Sequence, residues 1–248
     1  MTFPPARPAV PLCAAALVLH GIGAAAGAED GWSGQVAATS DYVLRGISQT
    51  DGHPAAQGSV VYQAASGAYV GAWGSSIDNT DWYYPAGDAQ FEVDLFAGYG
   101  RRLSDNWSAD VRATRYFYAG GSEFVEYDYT ELEAAVLYRD AVRVSVAWTP
   151  DTTLVTRPGL IEGSQAVACE FAVHRPILSW LSLVAGIGFR DIELASTGGY
   201  VYWNAGLSAQ RGALSVDLGR YGTDGEGREL FGSDSAGART ALSVAWAF

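Results

Sequence analysis

Residues 240–248 read TALSVAWAF. Leu242, Val244, Trp246 and Phe248 recur at every second position, with Ala241, Ser243, Ala245 and Ala247 between them. In a strand, residues i, i+2 and i+4 share a face, so one side of this segment is large and apolar and the other is small. Terminal residues ordinarily fray into water, and a terminal aromatic stripe therefore needs a surface to meet. Two surfaces qualify: the second sheet of a sandwich, or the acyl chains around a barrel whose small side lines a lumen. The rest of the sequence decides between them.

The same alternation recurs upstream. In QFEVDLFAGYG (residues 90–100), Phe91, Val93, Leu95, Ala97 and Tyr99 oppose Gln90, Glu92, Asp94 and Phe96. In NWSADVRATRYF (106–117), Trp107, Ala109, Val111 and Ala113 oppose Ser108, Asp110, Arg112 and Thr114. YTELEAAVLYR (129–139) sets Leu132, Ala134, Val136 and Tyr138 against Glu131, Glu133 and Ala135, and AVRVSVAW (141–148) sets Val142, Val144, Val146 and Trp148 against Arg143, Ser145 and Ala147. Extending the rule predicts twelve strands, at 34–43, 56–65, 68–76, 89–100, 106–118, 128–139, 141–149, 164–174, 180–190, 200–210, 213–221 and 239–248. Each is near the ~9–11 residues with which a tilted strand crosses a bilayer.

The connections alternate in length as well. Short ones fall at 65–67, 102–106, around Asp140, at 175–179 and at 211–213; long polar ones fall at 44–55, 77–88, 119–127, 150–163, 191–199 and 222–238. Short periplasmic turns facing long extracellular loops is the plan of an outer-membrane barrel, whereas Greek-key links in a sandwich have no reason to alternate so regularly. Aromatics on outward positions form two belts, with Tyr99, Trp107, Tyr138, Trp246 and Phe248 near short turns and Phe91, Phe117, Trp148, Phe189 and Trp203 near long loops. Such girdles mark the two interfaces of a membrane barrel. The expected fold is thus all-β: a closed antiparallel transmembrane β-barrel of about twelve strands. An open edge in lipid would leave backbone groups unpaired, so the last strand must close on the first.

At the amino end, Arg7 precedes an apolar stretch from Ala9 to Ile22 and then the small-residue run AAAGA ending at Ala28. This pattern predicts a signal peptide over 1–28, cleaved to leave the barrel as residues 29–248. The remaining chain carries 14 Arg, no Lys and 27 acids, a net charge of −13. Nucleic acid is not an expected partner for that charge. Of the two cysteines only Cys169 remains, which excludes an internal disulfide.

The terminal Phe with apolar residues at alternate positions before it resembles the ending that barrel-assembly machinery reads in bacterial outer-membrane proteins, which gives Trp246 and Phe248 a role as assembly signal. More specifically, VAATSDYVLRGISQTDGHPAAQGSVVYQAASGAYVGAWGSSID (36–78), followed by FEVDLFAGYG and YDYTELEAAVLY, resembles the proteobacterial family of TorF-like porins, formerly a conserved hypothetical family. The stretch from Ser40 to Thr50 is its most distinctive part. The resemblance implies an outer-membrane barrel with a pore, surrounded by outer-membrane lipid and lipopolysaccharide, and specifies neither a solute nor a catalytic residue.

Inward positions set the chemistry of such a barrel. Glu92, Asp94, Asp110, Glu131, Glu133, Glu170 and Asp217 fall inward, with Arg112, Arg143, Arg190 and Arg239. A lumen with excess carboxylates favours cations; alternatively the groups pair across strands and fill the lumen. Ala135, Ala147, Ala168, Gly186, Gly188, Gly206 and Ser243 leave room between them. The loop YVLRGISQTDGHP (42–54) either lies on the surface or folds inward as a constriction lined by Arg45 and Asp51. His53 and His174 are the only mature histidines, and no nucleophile, zinc or cofactor motif accompanies them. The expected function is passive diffusion of small hydrophilic solutes, neutral or cationic, without a cofactor. A closed structural or surface-interaction barrel is the alternative, and an outer-membrane enzyme the third.

Overall fold

The computed structural model describes residues 30–78, 89–120, 127–156, 159–192 and 198–248. The predicted signal segment lies outside them. Twelve antiparallel strands close into one barrel: β1 (Gly31–Thr39), β4 (Ala55–Gln63), β5 (Ala68–Ser76), β6 (Phe91–Arg102), β7 (Trp107–Ala119), β8 (Tyr129–Tyr138), β9 (Val142–Thr156), β10 (Gly159–Leu178), β11 (Leu181–Ile192), β12 (Tyr200–Arg211), β13 (Leu214–Thr223) and β14 (Arg239–Ala247). Each pairs with its neighbours in sequence, and β1 pairs with both β4 and β14, so every strand of the wall has two partners. Two-residue strands β2 (Val43–Leu44) and β3 (Ile47–Ser48) form a separate miniature hairpin. Two short helices, α1 (Gly225–Phe231) and α2 (Ser233–Ala236), lie between β13 and β14.

The seam is closed by the carboxyl-terminal segment, residues 240–248. Gln35 pairs with Ala247 and Thr39 with Ser243, and beyond the strand Phe248 and Gly34 exchange both backbone hydrogen bonds at 2.9 Å. The Phe248 ring covers Gly34: a Cβ there would stand 2.6 Å from the ring. A glycine on the outer face of β1 is what lets the aromatic lie flat against the seam.

The wall sorts residues by period two. Leu95, Val111, Val136, Val144, Leu218, Leu242 and Val244 face outward and are exposed, while Glu92, Asp110, Glu133, Ser145, Glu170, Asp217 and Ser243 on the same strands face inward and are buried. The barrel is therefore inside out relative to a water-soluble domain. At one end the strands turn tightly. Arg139 and Asp140, both at positive φ (54° and 53°), make the two-residue turn of the primed class between β8 and β9; Gly67 and Gly212 supply the left-handed residue in two others.

Two expectations about connections need correcting. The stretch 150–163, read as a loop, is largely strand: β9 runs to Thr156 and β10 begins at Gly159, in register from Gly159 opposite Thr156. Its Pro, Asp, Thr and Gly content signals a loop, but backbone pairing between two adjacent arms does not require apolar side chains. At the other end of β10 the strand continues through Arg175–Leu178, leaving only Ser179 and Trp180 as the turn. The helices in 222–238 have no amphipathic run long enough to announce them. Asp224 caps α1 by accepting from Gly227 N–H at 3.0 Å, and Leu230 anchors it on a buried cluster with Ile192, Tyr200 and Tyr202.

Candidate functional site

The lumen is built from the inward residues of the wall and from the segment after β1. That segment turns into the barrel instead of lying outside it. Arg45 and Gly46, both at positive φ (49° and 81°), form the tip of the β2–β3 hairpin. Only a residue without Cβ fits at the second tip position, where a Cβ would stand 2.7 Å from Thr223 Cγ2 and 2.8 Å from the Gly222 carbonyl. The base of the hairpin is gathered by Asp41. Its carboxylate accepts from Ser48 Oγ at 2.6 Å, Thr50 Oγ1 at 3.0 Å and Arg239 Nη1 at 2.9 Å, while Thr39 Oγ1 donates to the Asp41 carbonyl at 2.8 Å. Ile47 packs under the helix-bearing loop against the cluster that holds Leu230.

From the tip, Arg45 reaches the far wall. Its two terminal nitrogens grip Glu131 on β8 in a bidentate pair at 2.7 and 3.0 Å, and its Nε reaches Glu170 on β10 at 3.3 Å. The charges continue along the wall. Glu170 lies 3.8 Å from Arg143, Arg143 bonds Glu133, and Glu133 accepts from Arg112 at 2.7 Å. Cations and anions thus alternate across β7 to β10, each less than a tenth exposed. Alternation gives Glu133, Arg143 and Glu170 two neighbours of opposite sign each, which offsets much of the desolvation that a lone buried ion would suffer.

Beside this network the lumen is different. Glu92 and Asp94 on β6 are buried and, among the described residues, form no ion pair; Glu92 Oε1 accepts from Tyr42 of the infolded segment at 3.2 Å. Asp110 on β7 accepts the Tyr69 hydroxyl at 2.9 and 3.0 Å. Asp217 on β13 and Arg190 on β11 also point inward.

The sequence-predicted residues therefore divide. Glu131, Glu133, Glu170, Arg112 and Arg143 are brought together, with Arg45 joining from the loop; Glu92 and Asp94 stand apart from them; Arg239 serves the hairpin base. Asp51 does not line a constriction: it is exposed at a positive φ of 50° in the return of the loop, because the hairpin tip falls at Arg45–Gly46 and the chain has left the lumen six residues later. His53 bonds Asp78 at 3.0 Å with both side chains exposed, and His174 lies inward on β10 near Asp217. Cys169 is exposed on the outer face.

The pattern of the family described as "Bacterial protein of unknown function (Gcw_chp)" matches residues 23–248. The chain belongs to this family. Two solved structures are similar in fold. The NanC porin is 7% identical with a TM-score of 0.58, over 88% of this chain and 99% of the porin. A structure from work on in-meso crystallization of membrane proteins is 10% identical with a TM-score of 0.53, over 88% of this chain and 83% of the other. At these identities the likeness is one of fold: a porin-type barrel. No curated protein sequence matches the chain.

Sequence reasoning about this Gcw_chp barrel missed Asp41 and the inward tyrosines. Tyr69, Tyr116, Tyr129, Tyr200, Tyr202 and Tyr221 are all buried, and for Tyr116, Tyr129 and Tyr221 the signal is present, since each shares strand parity with an inward charge. Several lean on a glycine of the adjacent strand. Tyr202 lies directly opposite Gly188, where a Cβ would intrude on its ring, and donates to Glu170 Oε1 at 2.6 Å. Gly188→Val is expected to evict that ring and break the bond to Glu170, costing about 1–3 kcal/mol as an overpacked site does. Tyr202→Phe keeps the ring and is expected to lose only the hydrogen bond to a carboxylate, about 1.5–3 kcal/mol, whereas Gly188→Val loses that bond and is strained as well. Urea midpoints of the refolded barrel in detergent check both; equal losses would show that the glycine does not position the hydroxyl.

Proposed function

We propose that the chain is an outer-membrane channel for small hydrophilic solutes, neutral or cationic, whose lumen is narrowed by the segment from Asp41 to Thr50. The observation that carries this reading is the inside-out wall: an exposed band of Val, Leu, Trp and Phe around an interior of charged and hydroxyl groups. Apolar outward residues match acyl chains, and closure of the hydrogen-bonded wall is what hydrocarbon demands. An ionised interior serves no purpose against lipid and suits solutes in water. The resemblance to TorF-like porins and the porin-type fold support the same reading, as does the predicted signal segment, which would deliver the chain to barrel-assembly machinery and to a membrane faced with lipopolysaccharide.

The carboxylate excess supports the cation preference. The wall contributes Glu92, Asp94, Asp110, Glu131, Glu133, Glu170 and Asp217 against Arg112, Arg143, Arg190 and Arg239, and the hairpin adds Asp41 and Arg45. A second reading, a closed barrel with a structural role, is favoured by the Arg45 grip, which ties the hairpin across the lumen. Planar-bilayer recording separates the two. Discrete steps with a reversal potential toward cations under unequal KCl are expected; silence favours the closed barrel, and an anion-selective reversal potential overturns the solute preference.

A further inference from the structure

Glu92 and Asp94 are the anomaly of the lumen. They are 0% and 6% exposed, and Glu92 Oε2 and Asp94 Oδ1 have no hydrogen-bond partner. Consecutive inward positions on one strand set their Cα atoms roughly 6–7 Å apart, so the two carboxylates share one patch. The guanidinium of Arg112, close enough to attract Asp94, bonds Glu133 through Nη2 at 2.7 Å and makes no hydrogen bond to Asp94, while its Nε has no hydrogen-bond partner. Two adjacent carboxylates without a bonded counter-charge are costly in a buried setting, in contrast to the alternating charges of β7 to β10.

What surrounds them is aromatic. Register places Trp73 on one side of Asp94 and Tyr116 on the other, and Tyr118 beside Glu92. Tyr42 of the infolded segment completes the enclosure: it bonds Glu92 and packs against Trp73 with the rings tilted at 57° and their centroids 5.3 Å apart. Aromatic faces attract cations, and the free carboxylate oxygens demand N–H or O–H donors. A hard divalent metal would need six or more oxygen ligands, and among the described residues no cluster of three metal-ligating side chains exists. A quaternary ammonium brings charge but no donor.

We propose that Glu92 and Asp94, enclosed by Tyr42, Trp73, Tyr116 and Tyr118, form a binding site for the protonated primary amine of a small organic solute. The ammonium bridges Glu92 Oε2 and Asp94 Oδ1 and rests against the aromatic faces. The site rests on the channel reading only for how the solute arrives, and binding is measured without conduction so that either can fail alone.

The test is calorimetric titration of the refolded, detergent-solubilised barrel with ethanolamine and with choline, which carries the same alcohol on a quaternary nitrogen. Saturable ethanolamine binding is expected, with choline weaker by about tenfold or more for its missing hydrogen bonds to charge. Glu92→Gln with Asp94→Asn, both near-isosteric, is expected to abolish it, and Tyr42→Phe to weaken it. Each variant is scored only where its β-sheet circular dichroism matches the parent; if the double variant does not fold, the single Asp94→Asn carries the test with the same expected direction. Absence of saturable ethanolamine binding, choline binding equally well, or binding untouched by the carboxamide substitutions would each overturn the site. So would an infrared band of protonated carboxyl at neutral pH that disappears in the double variant and persists under ethanolamine, since a shared proton would then satisfy the pair.

Discussion

Arg45→Ala is expected to enlarge the conducting path and to weaken the barrel in one substitution. Arg45 is the only side chain of the hairpin tip that reaches β8 and β10, through Glu131 at 2.7 and 3.0 Å and Glu170 at 3.3 Å. Truncation frees the tip and leaves two buried carboxylates short of a cation. Removing one partner of a buried pair costs about 3–5 kcal/mol, the lower end applying where water can enter, as it can here once the tip withdraws. The measurable result is larger single-channel steps, or steps where the parent shows none, together with a lower urea midpoint. Arg45→Lys is expected to recover part of the stability and little of the closure, since an ammonium cannot hold Glu131 bidentately. Unchanged steps in the alanine variant would mean that Asp41 and the overlying helices hold the hairpin without help from its tip, and the gating role assigned to Arg45 would be wrong.

Why the wall was legible in the sequence and its plug was not comes down to range. In β6 through β9 the outward residues are apolar or aromatic apart from Arg101, Arg115 and Thr130 near the strand ends, and nearly every inward one is charged, hydroxylated or small, so a period of two suffices to orient each strand. In β4 and β5, Gly58, Gly71 and Gly74 blur both faces, yet strand positions still emerge from their flanks. The plug is another matter. Local sequence specifies a tight turn at Arg45–Gly46, but its partners stand 86 and 125 residues away, and nothing local distinguishes a hairpin that enters the barrel from one that lies on its rim. Helix α1 was invisible for a related reason: Gly225 and Gly227 are poor helix formers, and the segment is stabilised by the surface of Tyr200 and Tyr202 under Leu230. Tyrosine also carried two meanings. Outward it marks an interface; inward it fills space beside glycine and satisfies carboxylates, and only strand parity tells one from the other.

Parity likewise put Glu133 inward but could not reveal that it serves two cations. Glu133→Gln is expected to be among the most destabilising isosteric changes in the wall and to shift selectivity toward anions. Its carboxylate accepts from Arg112 Nη2 at 2.7 Å and from Arg143 Nη2, with both arginines less than a tenth exposed. A carboxamide keeps one acceptor and turns an N–H donor toward one of the two guanidiniums, so one pair becomes a hydrogen bond from a cation to an uncharged oxygen and the other a repulsive contact. Leaving buried charge uncompensated costs about 3–5 kcal/mol, read as a fall in the urea midpoint. The lumen meanwhile gains one unit of positive charge, which moves the reversal potential under unequal KCl toward anions. Glu92→Gln separates the two consequences. It too removes a lumen carboxylate, but Glu92 holds no arginine, so a shift in reversal potential in the same direction is expected with little loss of stability. Equal midpoints for the Glu133 and Glu92 variants would mean that the Arg112–Glu133–Arg143 bridge contributes nothing to the wall, and an unmoved reversal potential in both would mean that permeating ions never pass these carboxylates.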